Sequence, residues 1–301
     1  MGATKEPMIL LDAMMQLYKA NYSLSDLVTK DGRPTGMEYG FLKSLEALKT
    51  FFKDEIILCW EGRRNFRYNI DPDYKISRRD KRKKEAHKFL TPKRVEGFRN
   101  LLSMVAENAF DDELEGDDVI ATLTERYCKT EKVVIYSNDH DLHQLIRGEP
   151  HRVVQVKEYQ KRFNPWSVWR IREKYHGLYP KQLAIYFAIT GCKGDDVIGA
   201  GRVRGPMVAA AIRDGYSGRD MPNFELFSCG EILALEKFFD SGQFERNLKL
   251  VTLRIKDDLK VVGRNWQPRL IKKWLEGMEF RTLKLCKECN VKMRITEDEP
   301  F

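Results

Sequence analysis

The chain has 301 residues, 42% of them hydrophobic, and a formal net charge of +8 with a pI near 9.0. That length supports a sizeable core. No window approaches 18 uncharged apolar residues, which excludes a spanning helix, and six cysteines with a single CxxC, Cys286 and Cys289, exclude a disulfide framework.

In chain order, the apolar runs 8–11, 55–60, 132–137 and 152–156 predict buried strands, and the spacing between them predicts helices over 36–53, 92–107, 116–128 and 166–174. Alternating strands and helices predict an α/β fold with a central, mostly parallel sheet flanked by helices. The segment 61–91 is polar and basic, and reads as a long excursion out of the sheet. Beyond residue 177 the pattern is helical, with a Gly-rich interruption, "GCKGDDVIGAGRVRGPMVAAAI", at 191–212. The acidic tail "TEDEP" reads as frayed.

Between Arg63 and Arg99 there are fourteen Lys/Arg against five Asp/Glu, so nearly all of the net charge lies in one eighth of the chain. A local basic block of this kind suits a polyanion such as nucleic acid. The run "RRDKRKK" (78–84) reads as a mobile arch or clamp over a single strand.

Acidic residues fall at the predicted strand ends. Asp12 closes the first strand and Glu61 follows the second. Glu115, Asp117 and Asp118 open a helix, and Asp139 and Asp141 follow the strand ending at Ser137. Sites in open α/β sheets form outside the carboxyl ends of the strands, so these residues are expected to converge. A helix dipole supplies roughly 0.3–1 kcal/mol per carboxylate, too little to hold so many together. A hard divalent cation such as Mg²⁺ supplies the missing charge. His140 and His143 beside Asp139 offer a weaker zinc alternative, as does Cys286 with Cys289, which lacks a second pair.

Six ordered stretches resemble the 5′ nuclease family, the flap endonucleases and 5′→3′ exonucleases of phages and of bacterial DNA polymerase I. They are "LLDAMMQLYKA", "PTGMEYGFLKSL", "WEGRRNFRYNIDPDYKISR", "LEGDDVIA", "SNDHDLHQL" and "ITGCKGDDVIGAGRVRGPMVAAA". The resemblance implies a PIN-like core over 1–188, with an arch at 61–98. A helical DNA-binding region over 189–301 would begin with a helix–three-turn–helix at 189–213. It further implies two metal sites, one from Asp12, Glu61, Glu115 and Asp117 and the other from Asp118, Asp139, Asp141 and Asp195. Lys75, Arg78 and Asp117 would be catalytic. Arg67, Tyr74, Lys75, Arg78, Arg79, Arg202, Arg204 and Gly205 would contact DNA. Mg²⁺, replaceable by Mn²⁺, would be the cofactor, with K⁺ at the helix–three-turn–helix.

The implied activity is metal-dependent hydrolysis of phosphodiesters in 5′-ended or flapped DNA, and of RNA in hybrids. The implied protein is a cytoplasmic monomer working beside replication proteins, in the bacterial host if phage-encoded. Three departures stand out: Glu61 replaces an aspartate, Cys192 stands where the family has its first aspartate of the Gly-rich element with Asp196 as a substitute, and "VRGP" (203–206) replaces a Gly–apolar–Gly turn. Glu61 and Cys192 support a second reading, a DNA-structure-binding protein with weak or absent catalysis. A PIN-type ribonuclease shares the acidic edge but gives no reason for 191–212.

Overall fold

The computed structural model describes residues 7–52, 56–84, 90–149, 152–159 and 162–280. Cys286, Cys289 and the acidic tail lie outside the described residues.

The strand β1 (Met8–Asp12) is buried along its whole length and occupies the middle of a seven-stranded sheet. It pairs in parallel with β2 (Ile56–Cys59) on one side and β4 (Val133–Tyr136) on the other. β3 (Glu107–Ala109) extends the sheet beyond β2 and β5 (Val153–Tyr159) beyond β4, again in parallel. Antiparallel strands close both edges: β6 (Arg162–Trp166) against β5, and β7 (Val261–Val262) against β3. The expected mostly parallel sheet is therefore present.

Side chains alternate between the faces of β1, as the period of two requires. Ile9 and Leu11 face a core built with α1 (Ala13–Ser23), α2 (Gly36–Phe52) and α5 (Pro92–Leu102). Met8 and Leu10 face a second core with α6 (Gly116–Tyr127). Phe41 anchors the first layer, stacking on Trp60 at 6.3 Å and meeting Phe98 edge-on at 5.4 Å. A third core gathers α7 (Val168–Lys174), α8 (Leu183–Thr190), α9 (Gly205–Arg213), α10 (Cys229–Asp240) and α11 (Gln243–Val251).

Several expectations need correction. The helix expected over 92–107 ends at Leu102, and β3 follows it; three residues reading Glu-Asn-Ala carry little strand propensity. The helix expected from 166 starts after the N-cap Ser167, and Trp166 belongs to β6. A division at 188/189 does not match the packing. Tyr74 and Ile146 belong to the third core, whereas α12 (Pro268–Gly277) returns Ile271 and Leu275 to the first. The excursion at 61–91 contains α3 (Arg67–Ile70) and α4 (Ile76–Lys84). Among the described residues no helix is long and apolar enough to cross a membrane.

Candidate metal-dependent active site

Register sets the site. Asp12 is level with Cys59, the last residue of β2, and Leu11 is level with Tyr136, the last residue of β4. The residues just beyond β1, β2 and β4 therefore emerge together at the carboxyl edge of the sheet.

Asp12 also caps α1. Its Oδ1 accepts the Met15 amide at 2.9 Å and its Oδ2 accepts the Ser137 hydroxyl at 2.8 Å. Ser137 in turn accepts the Asp139 amide at 3.1 Å, and Asp139 Oδ1 accepts the Asp141 amide at 3.0 Å. Buried Gln155 on β5 donates to the carbonyls of Ser137 and Asp139 at 2.9 and 2.6 Å, pinning the loop. Ser137 and Gln155 were not foreseen; the signal for the second was one polar residue inside the apolar run "VVQV".

The electrostatics identify a single group. Burial, then Asp139 and Glu61, push the Asp12 carboxyl up to about 6. Burial, then Asp139 and Asp195, push Asp141 up to about 7. Burial and the charges of Asp139 and Asp12 hold Asp117 well above the usual carboxylate range. Burial raises Asp195 as well, against the opposing effect of Lys75 and Arg78. Asp195 Oδ1 is buried without an aligned hydrogen bond, although Arg78 Nη2 lies 3.1 Å away. Asp139, Asp141, Asp195 and Cys192 line a cleft of about 440 Å³, and Arg78 stands half-exposed at its edge. Glu61 opens instead onto a neighbouring cleft of about 510 Å³ beside Trp60, Arg63 and Arg99.

This donor set fits a hard cation. It is made of carboxylate oxygens, and its members raise one another's proton affinity. Among the described residues, no three His, Cys, Asp or Glu side chains are gathered closely enough to hold an ion as they stand. The match is thus one of charge and donor chemistry, not of a closed ligand cage.

Other expected residues have different surroundings. Glu115 is already neutralised: Lys75 Nζ lies at 2.6 Å and Arg67 at 3.3 Å, with Asn65 and the Tyr74 hydroxyl donating at 2.7 and 3.1 Å. Burial opposes ionisation there, but Lys75 and Arg67 overcome it and lower the Glu115 carboxyl. Asp118 is fully buried and does not face the acidic group. Arg67 grips both its oxygens, and the amides of Glu115 and Arg254 donate to it at 3.1 and 2.8 Å. Its lone pairs are occupied, which corrects the expectation that it is a metal ligand. Arg67 is 2% exposed and Tyr74 3%, so neither presents a surface to DNA.

Lys75 has a left-handed backbone, φ 54°, which costs roughly 1–2 kcal/mol for a residue with a Cβ. Its amide is bonded to the Asp195 carbonyl at 3.0 Å, which ties α4 to the loop beyond α8. Arg79 folds back onto the Pro72 carbonyl and over the Tyr68 ring. Arg202 is exposed. Arg204 is held by both oxygens of Glu231, at 2.9 and 2.8 Å. Gly205 opens α9 against Tyr186, whose hydroxyl would lie 2.7 Å from any added Cβ. Burial and the charges of Asp141, Asp195 and Asp139 push the Cys192 thiol up, keeping it protonated and a poor ligand for Mg²⁺. Asp196, the substitute ligand, is occupied by Ser77. The His pair is not a zinc site: buried His143 bonds Tyr175 through Nδ1 at 2.9 Å, and burial drives its pKa down to about 2.

Comparisons with known proteins bear on the fold and the family. The 5′–3′ exonuclease of Buchnera aphidicola subsp. Schizaphis graminum is 27% identical over 203 residues, covering 66% of this chain and 67% of that one. The 5′–3′ exonuclease of Aquifex aeolicus is 29% identical over 226 residues, 72% and 73% of the two chains. A bacteriophage T5 flap endonuclease, crystallised with DNA and metal ions, shares the fold with a TM-score of 0.66 at 17% identity, covering 82% of this chain and 89% of that one. The model of the 5′–3′ exonuclease N-terminal resolvase-like domain matches residues 7–176. With more than half its length so matched, the chain belongs to the 5′–3′ exonuclease family.

Proposed function

We propose that this protein is a structure-specific 5′ nuclease that hydrolyses phosphodiester bonds in 5′-ended or flapped DNA with the aid of divalent cations. The observation that supports this best is the group Asp12, Asp117, Asp139, Asp141 and Asp195 at the carboxyl edge of the sheet, whose negative charge exceeds that of the cations beside it. These five would hold the metal, with Glu61 at the border; Glu115 serves chiefly to place Lys75. Bound there, Mg²⁺ or Mn²⁺ supplies Lewis-acid stabilisation of phosphate charge and lowers the pKa of a water nucleophile.

The chain's own cations complete the site. Arg78, half-exposed at the cleft, is placed to meet a phosphate, and Lys75 adds a buried positive charge beside it. The basic helix α4 would track a single strand, and exposed Arg202 would contact duplex phosphates without reading sequence. K⁺ at the loop between α8 and α9, activity on RNA in hybrids, a monomeric state, replication partners and a cytoplasmic location belong to the same proposal.

Neutralised Glu115 and protonated Cys192 favour a second reading, DNA-structure binding with little catalysis. A 5′-flap cleavage assay separates them. Product that forms with Mg²⁺ or Mn²⁺ and disappears with EDTA supports the nuclease, whereas tight flap binding without product under every condition supports the alternative.

A further inference from the structure

The helix α4 lacks a cap of its own. Its N-cap position is Lys75, whose carbonyl accepts the Arg79 amide at 3.0 Å and opens the helix. A lysine has no acceptor for the first-turn amides, and its left-handed backbone is not that of an ordinary N-cap. The sequence that follows, "ISRRDKRKK", places positive charge along a helix whose N-terminus already carries a partial positive charge. Nine such residues make a marginal helix unless something outside stabilises it.

That stabilisation comes from 119 residues away. Asp196 Oδ2 accepts the Ser77 amide at 2.9 Å, and Oδ1 accepts the Ser77 hydroxyl at 2.6 Å. Ser77 is the second helical residue, the position a capping side chain normally serves. Asp196 reaches it from a left-handed conformation, φ 58°, which Asp and Asn adopt more readily than most residues. The loop carrying Asp196 is itself braced. Cys192 and Val197 exchange backbone bonds at 2.9 and 3.1 Å, and the Asp195 amide donates to the Cys192 carbonyl at 3.0 Å. Gly191, φ +79°, packs so closely that an added Cβ would fall 2.6 Å from the Val197 carbonyl oxygen.

We infer that Asp196 is a positioning residue that caps α4 from outside the helix and thereby holds Lys75 and Arg78 at the acidic cleft. Ser77 lies between these two residues. Lys75 reaches Glu115 at 2.6 Å and Arg78 reaches Asp195 at 3.1 Å from the same first turn. Loss of the cap frays that turn and releases both cations, while the loop between α8 and α9 keeps its backbone. The functional consequence rests on the nuclease reading; the cap does not.

The test combines amide exchange with a mutant cycle on the full chain. In Asp196→Gly, which tolerates the left-handed backbone but lacks the carboxylate, the Ser77 amide should exchange faster. Asp196→Asn, which keeps an acceptor, should restore most of the protection. Single-turnover cleavage of a 5′-flap should fall roughly two- to thirtyfold in Asp196→Gly, the range one lost cap corresponds to, with duplex Kd within about twofold. In a Lys75→Ala/Arg78→Ala background, Asp196→Gly should cause no further loss. Wild-type exchange at Ser77 overturns the cap. An equal fold-loss in both backgrounds, or a matching loss of duplex affinity, overturns the positioning role. Should Asp196→Gly not fold, Asp196→Ala, which likewise lacks the acceptor, decides by the same comparisons. A wild-type protein that cuts nothing while Ser77 exchange still responds to Asp196→Gly refutes the nuclease reading and leaves the cap standing.

Discussion

Arg67 holds Asp118 through two hydrogen bonds, of 2.5 and 2.8 Å, in a site that solvent does not reach. The same guanidinium donates to the Leu250 carbonyl at 2.7 Å, so it joins α3, α6 and the end of α11. The pair is part of the scaffold beneath the acidic cleft. Removing one partner leaves a buried charge uncompensated, at a cost of about 3–5 kcal/mol. Asp118→Asn and Arg67→Ala should each lower the urea unfolding free energy by an amount in that range. Mn²⁺ affinity measured on the folded fraction should change little. A stable Asp118→Asn that had lost Mn²⁺ binding would restore Asp118 to the ligand set.

The neighbouring Asp117 should behave in the opposite way. Its charge is opposed by burial, Asp139 and Asp12. Asp117→Asn relieves that repulsion, so the metal-free protein should become more stable while Mg²⁺-dependent cleavage falls by at least about a hundredfold, the loss typical of a removed electrostatic catalyst. Flap binding in EDTA should stay the same or tighten. Near-normal turnover in Asp117→Asn would place the metal elsewhere.

These shifts also set a pH dependence. Asp12 and Asp141 bind protons more tightly in the folded chain, at about 6 and about 7 against an ordinary 3.8. Groups raised on folding contribute stability that is present below the ordinary value and lost as pH rises through the folded one. Buried His143, lowered to about 2 from an ordinary 6.5, gains stability with pH up to that ordinary value, so in EDTA the fall in Tm should show above it, between pH 6.5 and 7.5. Glu115, which is lowered, contributes in the opposite sense, but only where pH drops toward its ordinary 4.5, outside that window. Saturating Mg²⁺ should raise Tm more at pH 7.5 than at pH 5.5. Thermal scans across these conditions, with a further EDTA scan at pH 6.5, check both signs, and a Tm that rises from pH 6.5 to 7.5 in EDTA contradicts the electrostatic reading of the cleft.

The convergence of Asp12, Asp139 and Asp141 was legible because continuous apolar runs mark buried strands and their ends mark the sheet edge; Asp117 opens α6 after β3, which carries no such run. Nothing local in "EGDD" tells Asp117 from Asp118, since adjacent residues on a helix turn 100° apart and only the tertiary partner, Arg67, distinguishes the buried face. Arg67 and Tyr74 looked like surface residues within a basic segment. Their burial depends on α11 and on Glu115, far away in sequence. The antiparallel edges β6 and β7 and the three-residue β3 were too short or too polar to carry a period. The Asp196–Ser77 contact spans 119 positions and has no local signature at all.

Two arginines in the loop before α9 should separate in their roles. Arg202 is exposed, whereas both nitrogens of Arg204 facing Glu231 are engaged, and Glu231 also caps α10 through Ser228. Arg202→Ala should weaken duplex binding uniformly across sequences and reduce the slope of log K against log salt by about one. Arg204→Ala should leave that slope nearly unchanged and lower stability only slightly, because the Arg204 side chain is itself solvent-exposed. Salt titrations of duplex Kd for the two variants decide the matter; equal slope changes would mean that Arg204 leaves Glu231 to meet a phosphate.

Cys192 is the last test of the metal reading. Its side chain borders the cleft with Asp139, Asp141 and Asp195, and their charges together with burial keep it a neutral thiol. A carboxylate in its place adds a hard donor and one more negative charge to a group already short of cations. Without metal, Cys192→Asp should therefore lower Tm and raise the apparent pKa of its neighbours. With metal the sign reverses: Mn²⁺ affinity measured by calorimetry should tighten by about tenfold, as ligand charge tunes such sites, and the stabilisation by saturating Mg²⁺ should exceed that of the parent. Cys192→Ser, which is nearly isosteric and uncharged, should change neither quantity appreciably. If Cys192→Asp lowers Tm with metal as much as without it, the added charge meets no cation there, and the centre lies on the Asp12 and Asp117 side of the cleft alone.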